Sequence, residues 1–241
     1  GKPFSLKTIR ADPFPLSPPE GSLAFIQSEL DEVDAWIEAC LEEADPDFQN
    51  FLHTHPLHGG KKIRAAFLLM AGKACGGIQD EHVPVAGILE MVHAATLIHD
   101  DILDEAEARR GSPCVHSRWG TQAAVLLGDW IYSKAFLEST RLPNPACSRV
   151  LAEATLATCR GEIVQDLLRG DFLLSMERCV QATAGKTASL FQCAGILGAE
   201  YSNSGRDLGR GLADFGWNAG LAFQIQDDLL DMIGDPGGTG K

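Results

Sequence analysis

From Ser22 onward the apolar positions recur at helical spacing: Leu23, Phe25-Ile26, Leu30, Val33, Trp36-Ile37 and Cys40-Leu41. A polar stretch with His53, His55, Pro56 and His58 reads as a loop, and Gly59-Gly60 opens a helix from about Lys61 to Cys75. Gly76-Gly77 closes that helix, and Pro84 stands in the first turn of the next, which spans about Val83 to Glu105. The same periodicity predicts helices near Gln122–Glu138, Pro145–Leu168, Ser175–Cys193 and Asp207–Gln226, the last running on through Asp231. No Val/Ile/Thr-rich alternation bounded by turns is present, so no sheet is expected and the fold class is all-α. Residues 1–20 carry five prolines and cannot be one helix; they read as an extended N-terminal arm or a remnant foreign to the native chain.

The helix over 83–105 is apolar until its end, where His99-Asp100-Asp101-Ile102-Leu103-Asp104 brings an acidic cluster. Asp100 and Asp104 are one turn apart on one face, and carboxylates so placed repel unless a cation joins them. Carboxylates at a helix C-terminus also oppose the macrodipole, a penalty with no structural return. The pattern recurs as Asp227-Asp228-Leu229-Leu230-Asp231 at the end of the last apolar helix. Two such copies read as halves of one polyvalent metal site, and Mg²⁺, shared between a few carboxylates and substrate phosphates, matches that donor chemistry. The three histidines 53, 55 and 58 have no nearby carboxylate or cysteine to complete a ligand set, so they read as a polar loop.

Composition narrows the partners. The chain has 241 residues, 45% apolar and 22% charged, enough for a substantial core. Its net charge of −13 argues against a nucleic-acid surface and means that an anionic substrate needs local cations or metal ions. Seven scattered cysteines without C-x-x-C read as reduced thiols of a cytoplasmic protein. No apolar run reaches the length of a membrane span, and no signal peptide is visible. Candidate cations do exist. Lys61 and Arg64 are placed one turn apart at a helix start, where free N–H groups also favour anions. Arg109-Arg110-Gly111 follows the first acidic motif, and Gly185-Lys186-Thr187 adds a cation and a hydroxyl.

Taken in order, these stretches resemble one family, the trans-type polyprenyl diphosphate synthases. The match runs from Gly59–Arg64 through Glu90-Met91-Val92-His93 and the first D-D-x-x-D to Arg109-Arg110-Gly111. It continues with Arg118-Trp119-Gly120, Leu127-Gly128-Asp129, Gly185-Lys186-Thr187-Ala188 and Phe223-Gln224-Ile225-Gln226-Asp227-Asp228. The resemblance implies a single-domain antiparallel helical bundle of the isoprenoid synthase type around a central cavity. It also implies condensation of an allylic prenyl diphosphate with isopentenyl diphosphate. Three Mg²⁺ ions are implied to bridge the allylic diphosphate to Asp100, Asp104 and Asp227, with Asp101, Asp228 and Asp231 supporting. Arg109, Lys186 and Lys241 match the family's allylic-diphosphate contacts; Lys61, Arg64, His93 and Arg110 match its isopentenyl-diphosphate contacts. Thr187 and Gln224 match positions near the developing carbocation, and released diphosphate is the implied base. His93, on residues alone, reads as a satisfied core histidine; the ligand role comes only through the resemblance. The chain ends at Gly240-Lys241 where the family continues with a Gly-x-Asp loop and further helices. The domain is therefore expected over 21–241 without its C-terminal helices, either disordered and omitted or deleted.

In the family a bulky side chain about one turn before the first aspartate motif forms a floor under the growing tail. Ala95 and Thr96 occupy those positions here, with Val92 and Leu89 deeper. The absence of a ring implies a product beyond fifteen carbons, roughly thirty to fifty, because length is set by what blocks the path. Arg118-Trp119-Gly120 and Glu105 also resemble medium- and long-chain members. A floor supplied instead by Trp130, Tyr132 or Phe136 stays open, as does a short-chain (farnesyl or geranylgeranyl) synthase. A class I terpene cyclase shares the fold, but its second metal motif mixes Asn, Ser and Glu and it lacks a Lys61/Arg64 site. A non-catalytic subunit characteristically loses the aspartate motifs, and both are retained. The family is commonly homodimeric; Val125, Leu126 and Ile131 serve either an interface or the core.

Overall fold

In the computed structural model the described residues are 21, 23–42, 45–53, 61–109, 111–168, 175–202 and 206–233. A 3₁₀ turn, Ala24–Ile26, leads into α1 (Gln27–Cys40), followed by α2 (Pro46–His53), α3 (Ile63–Ala74) and α4 (His82–Leu103). A hairpin of β1 (Ala108–Arg109) and β2 (Ser112–Pro113) precedes the short α5 (Val115–Trp119). Then come four long helices: α6 (Thr121–Arg141), α7 (Ala146–Leu167), α8 (Met176–Glu200) and α9 (Arg206–Ile233). The fold is all-α. The N-terminal arm expected over 1–20 lies outside the described residues, as do Gly59-Gly60, His55 and His58.

Each predicted helix is present, with edges moved by specific residues. Lys62 adopts a left-handed backbone (φ 44°), so α3 begins at Ile63 and Lys61 stands before the helix. That corrects the expected pairing of Lys61 and Arg64 across one helical turn. At the other end of the site, Glu105 is left-handed (φ 52°), which stops α4 at Leu103 and makes Asp104 its C-cap. The two-strand hairpin corrects the expectation of no sheet: Ala108 pairs with Pro113 and Arg109 with Ser112, a turn too short to carry any alternation. α2 falls in a stretch expected to be loop, and α5 was not anticipated; at eight and five residues neither spans enough turns to show a periodicity.

The core is one cluster drawn mainly from α1, α3, α4, α6, α7 and α8, with Ile26 of the 3₁₀ turn, Leu52 of α2 and Val115 of α5. Helix α4 is its axis, with Val85, Ile88, Leu89, Met91, Val92, Ala95 and Ile98 all buried. Helices α8 and α9 run antiparallel, since contacts pair Phe191 with Gly216, Ala188 with Gly220 and Thr187 with Gln224. They touch backbone to backbone: a Cβ on Gly220 would lie 2.7 Å from the Ala188 Cα. Helices α7 and α8 are antiparallel by the same test, through Thr158–Ser189 and Gly161–Gly185. His82, with no exposed surface, ties α4 to α8 and to the loop that precedes α4. Its Nδ1 accepts from the Gln79 N–H (2.9 Å), and its Nε2 donates to the Gly198 carbonyl (3.0 Å).

Val125 and Leu126 are exposed on α6, whereas Ile131 is fully buried and belongs to the core. Among the described residues no helix is long and apolar enough to cross a membrane.

Candidate active site

Helix α4 carries the site on one face. At roughly 100° per residue, His93, Asp100 and Asp104 project within about 40° of one another, and two turns separate His93 from Asp100 by roughly 10 Å. Asp100 is half-buried; Asp104, as the cap, is exposed. Asp104 is accessible to solvent at the helix end, with Asp100 one turn before it. Asp101 does not share their face. It is 2% exposed, and its Oδ1 accepts from Arg109 Nε (2.7 Å) and Nη2 (2.6 Å). The expected metal-supporting carboxylate is thus occupied by the expected diphosphate-binding guanidinium.

At the upper end of the face, α3 brings Arg64 against His93. Arg64 Nη1 donates to His93 Nε2 at 2.9 Å, which requires the imidazole to be neutral with its proton on Nδ1. The guanidinium carbon sits 4.8 Å above the Phe191 ring of α8, a cation–π contact, while its Nε is buried without a hydrogen-bond partner. Burial pushes the Arg64 pKa down to about 10, partly offset by the carboxylate of Glu90. Glu90 accepts the Ala65 N–H (2.9 Å), an otherwise orphaned amide of the first turn of α3. Burial pushes its carboxyl above the usual carboxylate range, against that hydrogen bond and the Arg64 charge. Lys62 pairs with Asp34 of α1, so it is Arg64, not Lys62, that turns inward.

The second aspartate motif lies at the end of α9. Thr187 donates to Gln224 Oε1 (2.6 Å), and Gln224 Nε2 donates to Asp228 Oδ1 (2.9 Å). This relay joins α8 to the motif and fixes which way the Gln224 amide faces. Asp227 is half-buried and Asp228 exposed. Lys186 and Asp231 fall on α8 and α9 with their side chains outside the described set; Arg110 and Lys241 lie outside it altogether.

Of the chain-length candidates, Leu89, Val92 and Ala95 are buried in the core and Thr96 is half-buried, its hydroxyl donating to the His93 carbonyl (2.8 Å). Trp130 packs edge-on against Phe48 at 5.0 Å, and Phe136 is 42% exposed, at the surface. A void of about 10 Å³ lies among Ile37, Leu41, Glu90, Met91, Ala94 and Ile131. An open cleft of about 740 Å³ lies beside the end of α4, lined by Ile102, Glu105, Glu107, His116, Ser117 and Thr121.

Sequence reasoning gave no role to Glu90, Phe191 or Cys114. Glu90 stood in view, three residues before His93 and therefore on a neighbouring part of the same helix. Nothing in the order of residues places Phe191 over Arg64, because that contact joins helices 127 positions apart.

The profile of the family described as Polyprenyl synthetase matches residues 46–241. The chain is 40% identical over 186 residues to a geranylgeranyl diphosphate synthase of Mycobacterium tuberculosis, covering 76% of this chain and 53% of the relative. It is 37% identical over 210 residues to the octaprenyl diphosphate synthase of Escherichia coli, covering 84% and 64%. Among solved structures, a polyprenyl synthase from Caulobacter crescentus complexed with calcium and isoprenyl diphosphate superimposes with a TM-score of 0.85 at 29% identity, covering 91% of this chain and 67% of that one. The chain therefore spans between half and two thirds of the length of these two curated relatives.

Proposed function

The chain belongs to the polyprenyl synthetase family, and from that premise we propose that it is a prenyltransferase. It condenses an allylic prenyl diphosphate with isopentenyl diphosphate in successive trans head-to-tail additions, releasing diphosphate. The product is linear and longer than fifteen carbons. One observation carries this reading: a carboxylate pair and His93, which Arg64 of α3 meets, share one face of α4 two turns apart. That spacing supports a reading in which two diphosphates lie side by side, each with a different kind of partner.

The donor set fits Mg²⁺. Asp100, Asp104 and Asp227 offer only hard oxygens, and the nearby thiol, Cys114, is pushed up to about 11 by burial and stays protonated. Among the described residues no three His, Cys, Asp or Glu side chains converge to hold a metal by themselves. A cation here shares oxygens with a phosphate, as Mg²⁺ usually does. When bound, Mg²⁺, in three ions per site by family resemblance, neutralises charge on the departing diphosphate. Asp101 and Asp228 support Asp100, Asp104 and Asp227 from the flanks, one through Arg109 and the other through Gln224. Arg64 and His93, with Lys61 and Arg110, bind the isopentenyl diphosphate. Its charge at neutral pH is secured because the Arg64 pKa, though lowered, stays near 10. Arg109, Lys186 and Lys241 bind the allylic diphosphate. The Thr187 hydroxyl and Gln224 amide, already bonded to each other, present oxygen to developing positive charge.

The protein works in the cytoplasm as a homodimer. Exposed Val125, Leu126, Phe136 and Leu137 on α6 supply an apolar surface for that pairing. Incubation with Mg²⁺, farnesyl diphosphate and labelled isopentenyl diphosphate tests the function. A ladder of linear prenyl diphosphates is expected. A cyclic hydrocarbon would establish a cyclase instead, and turnover only after a second protein is added would make this a subunit of a heteromeric enzyme.

A further inference from the structure

Two other helices build the start of α3. Lys62, its N-cap, holds a left-handed backbone (φ 44°, ψ 39°), and its side chain caps no amide. That conformation crowds Cβ against the following carbonyl and disfavours a non-glycine residue by roughly 5–30-fold. Asparagine or aspartate offsets the strain with a local hydrogen bond, but lysine carries no acceptor to do so. The turn is anchored from outside instead. The Lys62 ammonium pairs with the Asp34 carboxylate of α1. The Ala65 N–H donates to Glu90 Oε1 of α4 (2.9 Å), doing what an N-cap side chain ordinarily does. The helical ladder then opens with Ala66 N–H to the Lys62 carbonyl (2.8 Å).

Asp34 is set on a rigid frame. Val33 and Ile37 beside it are buried, and Gly87 of α4, one turn before Glu90, leaves no room for a Cβ against the Trp36 ring of α1. One Asp34 oxygen makes the pair while the other, Oδ1, is buried without a hydrogen bond. A buried acceptor left unmatched costs stability, so tighter folding does not account for this carboxylate. We infer that Asp34 is a positioning residue: by holding Lys62 it keeps that backbone left-handed, and so directs Arg64 out of the first turn of α3 toward His93. A right-handed Lys62 would carry α3 back toward Lys61 and re-aim both cations.

This inference rests on the proposed diphosphate chemistry only for its kinetic readout. The test compares Asp34→Ala, Lys62→Ala, Lys62→Gly and Lys62→Asn. Every one of them breaks the pair, but glycine and asparagine tolerate the left-handed backbone and alanine does not. The KM of each substrate is measured, and hydrogen exchange at the amides of Ala65 and Ala66 is followed by mass spectrometry. Asp34→Ala and Lys62→Ala are expected to raise the isopentenyl-diphosphate KM by about 5–30-fold, the bias that the pair no longer opposes. They should leave the allylic-diphosphate KM within about twofold, and exchange in the first turn of α3 should quicken. Lys62→Gly and Lys62→Asn are expected to stay within about threefold of the unaltered chain, and Asp34→Ala added to Lys62→Gly should change nothing further. A Lys62→Ala protein no worse than both the glycine and the asparagine variants, or an equal rise in both KM values, overturns the inference. If the unaltered protein shows no turnover, the proposed function fails. The positioning role is then decided by exchange alone: faster in Lys62→Ala than in Lys62→Gly and Lys62→Asn supports it, and equal rates overturn it.

Discussion

Replacing Ala95 with phenylalanine tests how far elongation proceeds. Ala95 is 2% exposed and lies along α4 beside Met91, Val92 and Ile98, each at most 3% exposed. A ring added to a seam this closely packed forces neighbours off their rotamers, at about 1–3 kcal/mol. In a domain of this size each kcal/mol lowers Tm by about 2–4 °C, so a fall of about 2–12 °C is expected. On the proposed path of the prenyl tail along this seam, the added ring acts as a floor. Liquid chromatography of the dephosphorylated products should therefore show a shorter chain, at an unchanged requirement for isopentenyl diphosphate. Thr96→Phe is the companion. Thr96 is half-buried and its hydroxyl bonds only within its own helix, so this ring should shorten the product with a smaller loss of Tm. An unchanged product distribution from Ala95→Phe, together with the fall in Tm, would refute the reasoning and leave Ala95 as a core residue alone.

Three further outcomes are expected. His82→Ala removes a fully buried ring with partners on two sides, at about 3–5 kcal/mol, and calorimetry should show the Tm falling while the kinetic constants of the folded protein hold. Stability should fall as pH rises from about 9: burial lifts the Cys40 and Cys114 thiols to about 11 and Cys147 to about 12, so the unfolded chain ionises first and binds fewer protons. Arg64, lowered to about 10, acts with the opposite sign above that pH, but it is one group against three, and a Tm rising between pH 9 and 11 would contradict the assignment. Chelation of divalent cations should abolish turnover and Mg²⁺ should restore it; activity that survives chelation removes the role given to Asp100, Asp104 and Asp227.

Helix positions were legible because long amphipathic segments state their period many times over. The aspartate pairs were legible because repeated charge at a helix end has no cheap structural cause. What stayed hidden depends on backbone states that single residues adopt. Lys62 and Glu105 are non-glycine residues with positive φ, a conformation with a small prior for either. Yet Lys62 decides where α3 begins, and Glu105 decides that the chain turns back so that Arg109 meets Asp101. The pairing of Asp101 with Arg109 was hidden for a related reason. Adjacent letters in D-D-x-x-D look equivalent in a string but point roughly 100° apart on a helix. Glu90 was overlooked because its partner is a backbone amide, and an amide leaves no mark in the sequence.

One turn of α8 braces both halves of the site. Thr187 grips Gln224, which holds Asp228 at the second aspartate motif. Four residues on, Phe191 lies under the Arg64 guanidinium and 6.1 Å from the Phe223 ring of α9. The two functions of that ring are separable, since only one needs aromaticity. Phe191→Leu keeps most of the bulk against Phe223 while removing the ring face from Arg64. A cation–π contact in a desolvated place is worth about 0.5–2 kcal/mol, so the isopentenyl-diphosphate KM should rise by about 2–30-fold. The allylic-diphosphate KM and the Mg²⁺ requirement should hold. Phe191→Ala removes the bulk as well; Phe223 and Gln224 lose their backing, and both substrates should then bind less well. Measuring the two KM values in the two variants gives four numbers and one ordering. If leucine disturbs both substrates equally, the ring is acting as packing alone, and Arg64 is held in place by His93 without help from α8.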